Sequence, residues 1–171
     1  TEAGLVYDLA SVSKVVGVGT VCTCLWEKGQ LDIDRPVTDF LPESDYPDIT
    51  IRQLLTHATN LDPFIPNRDL LTASELKEAM FHLNRRSHPA FLYSDVHFLL
   101  LGFMLERIFD QDLDVIIQEQ VWKPWGMDET QFGPVEYAVT TVRGVEAGLV
   151  HDPKARLLGR HAGSAGLFST V

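Results

Sequence analysis

The chain has 171 residues, 45% hydrophobic and 22% charged, and a net charge of −10. Such a length and balance suit one domain with a sizeable core. The acidic charge argues against nucleic acid or an anionic membrane as partner, because phosphate binding needs a basic patch. The nearest approach to one, Arg85-Arg86 beside His82 and His88, reads as a solvated helix end.

Residues 1–10 read as an extended lead-in, and Tyr7-Asp8-Leu9-Ala10-Ser11-Val12-Ser13-Lys14 as a turn feeding a helix that runs from Ser11 to about Lys28, with Gly29 as its C′ residue. On a helix, residues three apart share a face, so the Lys14 ammonium can lie beside the Ser11 hydroxyl. A helix N-terminus also offers free N–H groups and the positive end of the dipole, which can hold a developing oxyanion. A lysine desolvated by apolar neighbours can act as a base, so the four residues hold the parts needed for acyl transfer. Gly17 and Gly19 cost helix propensity and point to close packing against another element. Cys22 and Cys24 face different ways and cannot easily pair. Reduced thiols and no visible signal peptide lean toward a cytoplasmic setting, with the compartment otherwise unknown.

Leu31 to Pro36 is a polar turn, and Pro36 opens a short helical turn that reaches Leu41 before Pro42 closes it. Thr50 and Gln53 form a capping box for a short helix ending near Thr56, and Asn60 is the candidate for a left-handed residue. Ser74-Glu75-Leu76-Lys77 repeats the Ser-x-x-Lys spacing, but Thr72 and Glu75 make it the first turn of a surface helix over 72–84 that buries Leu76, Met80 and Leu83. Asp95 is expected to cap a strongly apolar helix from Val96 to about Phe109, whose run Phe98 to Leu105 is far too short to span a bilayer. A further helix over 113–122 should end before Pro124. From Gln131, prolines and glycines break residues 131–171 into loops with short strands. No H-E-x-x-H or C-x-x-C spacing appears, so no metal and no cofactor is expected. The firm elements are all helices, giving a mainly α chain.

Two polar clusters, Ser11-Val12-Ser13-Lys14 at a helix start and Tyr93-Ser94-Asp95 entering another helix, have the order and rough spacing of a known constellation. Asp8 to Lys14 looks like "D-x-A-S-x-[ST]-K", and Leu54-Leu55-Thr56-His57-Ala58-Thr59-Asn60-Leu61 like "L-L-T-H-T-S-G-L". Val150 to Ala155 and Gly163 to Thr170 match further phrases of the same group. The chain resembles the serine β-lactamase and penicillin-binding-protein superfamily, in its class C β-lactamase and esterase-like branch.

The resemblance implies the helical lobe of an α+β fold, with the flanking antiparallel-sheet lobe largely missing at both ends, so that residues 1–171 form a single partial domain. It implies Ser11 as the acylated nucleophile, Lys14 as its proton acceptor, Tyr93 as a second acid/base group and Asp95 as a substrate-binding residue. The expected partner is a small-molecule or peptide substrate with an ester, amide or β-lactam bond. Asp95 stands where the branch has Asn, and a carboxylate cannot donate a hydrogen bond. That departure keeps a non-catalytic binding or regulatory module as the alternative. The family's Lys- or His-Thr-Gly motif is absent, His161-Ala162-Gly163 being read as loop, and an apolar face left open could lead to homo-oligomers or element swapping.

Overall fold

Ten consecutive residues, Val96 to Leu105, are buried. A helix that is apolar on every side belongs at the centre of a domain, and in the computed structural model, which describes residues 3–141 and 144–170, the rest of the chain wraps around it. This helix, α4 (Asp95–Phe109), packs against α2 (Ile51–Leu55), α3 (Ala73–Phe81), α5 (Leu113–Ile117) and the turn Val15–Gly19. Its N-cap is Ser94, not Asp95: the Ser94 hydroxyl accepts from the Val96 amide at 3.2 Å, and Asp95 is the first helical residue. The Asp95 carboxylate is drawn instead to two lysine ammoniums.

The first helix is not continuous. A 3-10 turn over Ala10–Val12 leads to a π turn over Val15–Gly19, and only then does α1 (Thr20–Glu27) begin. Gly17 lies outside helical geometry, at φ −116° and ψ −106°. Gly17 does serve close packing on another element, since a β-carbon there would sit 3.0 Å from Ile117 Cδ1. At Gly19 the tight neighbour is the Lys14 carbonyl oxygen of the preceding turn, at 2.9 Å, with Phe98 at 3.5 Å.

Both capping boxes form as expected, Thr50 with Gln53 and Thr72 with Glu75. Leu76, Met80 and Leu83 are buried, although α3 stops at Phe81. The left-handed residue of the following loop is His57, at φ +56°, and not Asn60. After α5 the helix runs on through a π turn, Gln118–Trp122, into α6 (Lys123–Trp125), so Pro124 does not stop it. A proline in the first turn of a new helical segment lacks an N–H that has little use there.

The loop-rich segment contains one helix that was not expected, α7 (Pro153–Leu158). Asp152 Oδ1 accepts from the Ala155 amide at 2.8 Å, with Pro153 in its first turn. The sheet is small. β3 (Leu167–Ser169) lies between β1 (Tyr7–Asp8) and β2 (Gln131–Phe132), antiparallel to both, with Tyr7 opposite Ser169 and Phe132 opposite Leu167. The described chain is thus mostly helical with a three-stranded sheet. No described helix is long and apolar enough to cross a membrane.

Candidate active site

The turn that presents Ser11 is held by buried polar contacts. Ala10 takes a left-handed conformation, φ +50°, at a cost of about 1–3 kcal/mol for a residue with a β-carbon. Asp8 offsets that cost: its Oδ1 accepts from the Ala10 amide at 2.8 Å, and its Oδ2 accepts from the His151 amide and Nδ1 at 3.0 and 2.9 Å. Ser13 Oγ accepts from the Leu167 amide at 3.1 Å, which ties the turn to β3. Ser11 is therefore exposed on a braced turn, inside the 3-10 segment rather than at the start of a long helix.

Lys14 is the hub. Its side chain is 4% exposed, and Nζ lies 3.0 Å from Ser11 Oγ, 2.7 Å from Asp95 Oδ1 and 2.8 Å from the Ser164 carbonyl oxygen. The Ser164 carbonyl reaches it because residue 163 has no side chain: a β-carbon there would lie 2.2 Å from the Phe98 carbonyl oxygen. Burial pushes the Asp95 carboxyl up, but the Lys14 hydrogen bond and the charges of Lys14 and Lys154 outweigh it and hold the group below its ordinary value. Lys154 Nζ lies 3.1 Å from Asp95 Oδ2 and 3.5 Å from Asp152 Oδ2. Sequence reasoning missed Lys154. The stretch Val150 to Ala155 contains it, but nothing in the sequence brings residue 154 next to residue 95.

Tyr93 is half exposed and meets Lys14 with its ring, whose centroid is 5.0 Å from Nζ. The structure therefore gathers Ser11, Lys14 and Asp95 through one ammonium and lays Tyr93 beside them. Under Tyr93 lies His57, ring centroids 4.7 Å apart, and His57 Nδ1 is 2.9 Å from His97 Nδ1. Burial, then the charge of Lys14, lowers the His57 pKa against a raising effect of Asp95. Burial first, with His57 and Arg86, pushes His97 down to about 4. Neither histidine was a candidate from sequence.

The second Ser-x-x-Lys sequence behaves differently. Ser74 is exposed, while Lys77 Nζ lies over the Phe103 ring at 4.5 Å and 3.8 Å from Glu106 Oε2. The basic cluster is likewise spent: Arg85 makes a two-pronged pair with Asp48 at 2.7 and 2.6 Å, and His82 Nδ1 lies 2.7 Å from Asp45. Glu106, Asp112 and His161 bring ligand-type atoms within 4.8 Å of one another. They are already partnered, His161 with Glu106 at 2.5 Å and Asp112 with Arg160 at 2.6 Å.

Residues 2–171 match the family model described as Beta-lactamase. The chain belongs to that family. It is 28% identical over 210 residues to an Escherichia coli K12 protein named "Putative D-alanyl-D-alanine carboxypeptidase", a match covering 98% of this chain and 48% of that protein. The chain spans about half the length of the curated relatives it matches. Among solved structures, D-amino acid amidase from Ochrobactrum anthropi SV3 superposes with a TM-score of 0.72 at 20% identity, covering 99% of this chain and 54% of that one. A class C β-lactamase from Rhodobacter sphaeroides gives 0.70 at 20% identity, covering 97% and 48%. Likeness at that identity establishes the fold. The resemblance to the β-lactamase and penicillin-binding-protein superfamily read from the motifs therefore holds.

Proposed function

We propose that the protein is a serine hydrolase that forms an acyl-enzyme on Ser11. The observation that carries the reading is the 3.0 Å approach of Lys14 Nζ to Ser11 Oγ within three contacts that suit both charge states of the amine. As an ammonium, Nζ donates to Ser11 Oγ, Asp95 Oδ1 and the Ser164 carbonyl. As an amine, it keeps the last two as acceptors and turns its lone pair to the serine hydroxyl. In the forward step Oγ bonds to the substrate carbonyl carbon, its proton passes to Nζ, and the electron pair moves onto the carbonyl oxygen. The leaving alcohol or amine departs with a proton, and water then cleaves the ester on Ser11. Tyr93, over the ammonium, serves as the second proton-transfer group, and Asp95 contacts substrate at its exposed edge.

The relatives' names direct the substrate toward peptides or amides of D-amino acids. Incubation with a fluorophosphonate, followed by intact mass, tests the reading: the Ser11 oxygen bonds to phosphorus and fluoride leaves. One added phosphonyl group, absent in Ser11→Ala, is expected. A chain left unlabelled while a full-length relative under the same conditions is labelled would overturn the reading. The Lys14–Asp95 ion pair at 2.7 Å favours a second reading, a binding module in which that pair silences the base. Such a module would bind a D-amino-acid amide without turnover or labelling.

A further inference from the structure

The segment that brings Tyr93, Ser94 and Asp95 into the site is strapped to the loop after α2 by every second amide. Ala90 N–H donates to the Thr59 carbonyl at 3.3 Å, Leu92 N–H to the His57 carbonyl at 2.9 Å, and Ser94 N–H to His57 Nδ1 at 3.4 Å. At the third rung a side chain replaces a backbone acceptor. That rung works only if His57 Nδ1 carries no proton, and the neighbours fix the rest. With Nδ1 of His57 accepting, the 2.9 Å contact requires Nδ1 of His97 to donate. A neutral His97 then has a bare Nε2, which must accept from Thr59 Oγ1 at 2.8 Å. Thr59 has that proton to give, and its oxygen still accepts from the Leu61 amide at 3.2 Å.

We propose that His57 and His97 are positioning residues: a neutral pair of fixed tautomers, His97 protonated on Nδ1 and His57 on Nε2, that seats Tyr93 and the N-cap of α4. The ring nitrogens in these contacts then each have one role: His57 Nδ1 accepts, from His97 Nδ1 at 2.9 Å and from the Ser94 amide at 3.4 Å, while His97 Nδ1 donates and its Nε2 accepts from Thr59 Oγ1. The seat is also steric. The His57 ring lies against Tyr93, Phe91 and Phe98, and its left-handed backbone aims it there. The charged groups facing the pair are Lys14 and Asp95 at His57, and Arg86 at His97. Burial disfavours charge on either ring, in keeping with a neutral pair. The bearing of the pair on acyl transfer rests on the hydrolase reading; its existence does not.

Long-range proton–nitrogen NMR correlation of the 15N-labelled chain at pH 7 reads both tautomers directly. Expected are His97 with a protonated Nδ1 and bare Nε2, and His57 the reverse. Either ring in the other tautomer, or charged, would overturn the proposal. His97→Asn keeps a donor where Nδ1 stood and should retain the Ser94 amide shift and the cross-peak between the Tyr93 and His57 rings. His97→Leu should lose both. A folded His97→Leu chain that keeps both also overturns it, and should that variant not fold, the wild-type tautomers decide. Fluorophosphonate labelling is scored separately, so its failure removes the hydrolase reading and leaves the pair standing.

Discussion

Acidification should weaken the fold through His97 in a way that can be isolated. The ring is 1% exposed, and burial, His57 and Arg86 hold its pKa near 4 against an ordinary 6.5. The unfolded chain takes up this proton as pH falls through 6.5, while the folded chain resists until about 4. Stability from this group is therefore fully present above about 6.5, declines as pH falls toward 4, and is flat below that. A gap of about 2.5 pH units, at about 1.4 kcal/mol each, amounts to about 3 kcal/mol. Most small domains have only about 5–15 kcal/mol in all. Other groups titrate in the same window, including His82, which Asp45 raises despite some desolvation, so the measurement is a difference. Urea unfolding of wild type and His97→Asn at pH 7, 5.5 and 4 should show wild type losing about 3 kcal/mol more than the variant over that range. Parallel losses would refute the reasoning, since they would mean that the folded chain accepts the proton on His97 without penalty.

Asp95→Asn leaves two lysine ammoniums at a partly buried site without their carboxylate. It should cost about 2–4 kcal/mol in denaturant unfolding, and Lys154→Met in that background should recover part of the loss, giving a coupling that a double-mutant cycle reads. Gly163→Ala places a β-carbon 2.2 Å from the Phe98 carbonyl oxygen. Backbone atoms cannot yield as a flexible side chain can, so a loss of about 3 kcal/mol or more is expected, with slower fluorophosphonate labelling as the Ser164 carbonyl is pushed off Lys14. An unchanged melting temperature would contradict the packing described.

Helices were legible where period and caps agreed. Thr50/Gln53 and Thr72/Glu75 each satisfy two helix-end donors locally, so no distant contact was needed to foresee them. The elements that differed depend on partners far along the chain. The first helix breaks at Gly17, where a β-carbon would meet Ile117, and Asp95 lies inside the helix with its oxygens on Lys14 and Lys154. The missed helix α7 had a local signal, aspartate followed by proline, obscured by the glycines around it. At the site, Ser11 and Lys14 were legible because three residues separate them. His57 and His97, or Asp95 and Lys154, meet only once α4 is in place, and no periodicity records such a meeting.

The aspartate at position 95 need not silence the lysine it touches. With Lys14 its only cation, loss of the Lys14 proton would strand a partly buried carboxylate, and a buried charge without a partner is costly. Lys154 changes that balance. Its ammonium is 3.1 Å from the other Asp95 oxygen and 3.5 Å from Asp152 Oδ2, so on the proposed mechanism Asp95 keeps a cationic partner when the proton leaves Lys14. On the hydrolase proposal, the serine proton arriving at Nζ restores the ammonium beside the forming oxyanion, where a positive charge is stabilising. The same arrangement explains why a carboxylate can stand where the branch has an amide: it holds two cations in register instead of donating to substrate. Lys154→Met should therefore slow phosphonylation of Ser11 with little effect on folding, whereas a rate equal to wild type would leave the silenced ion pair as the better account of Asp95.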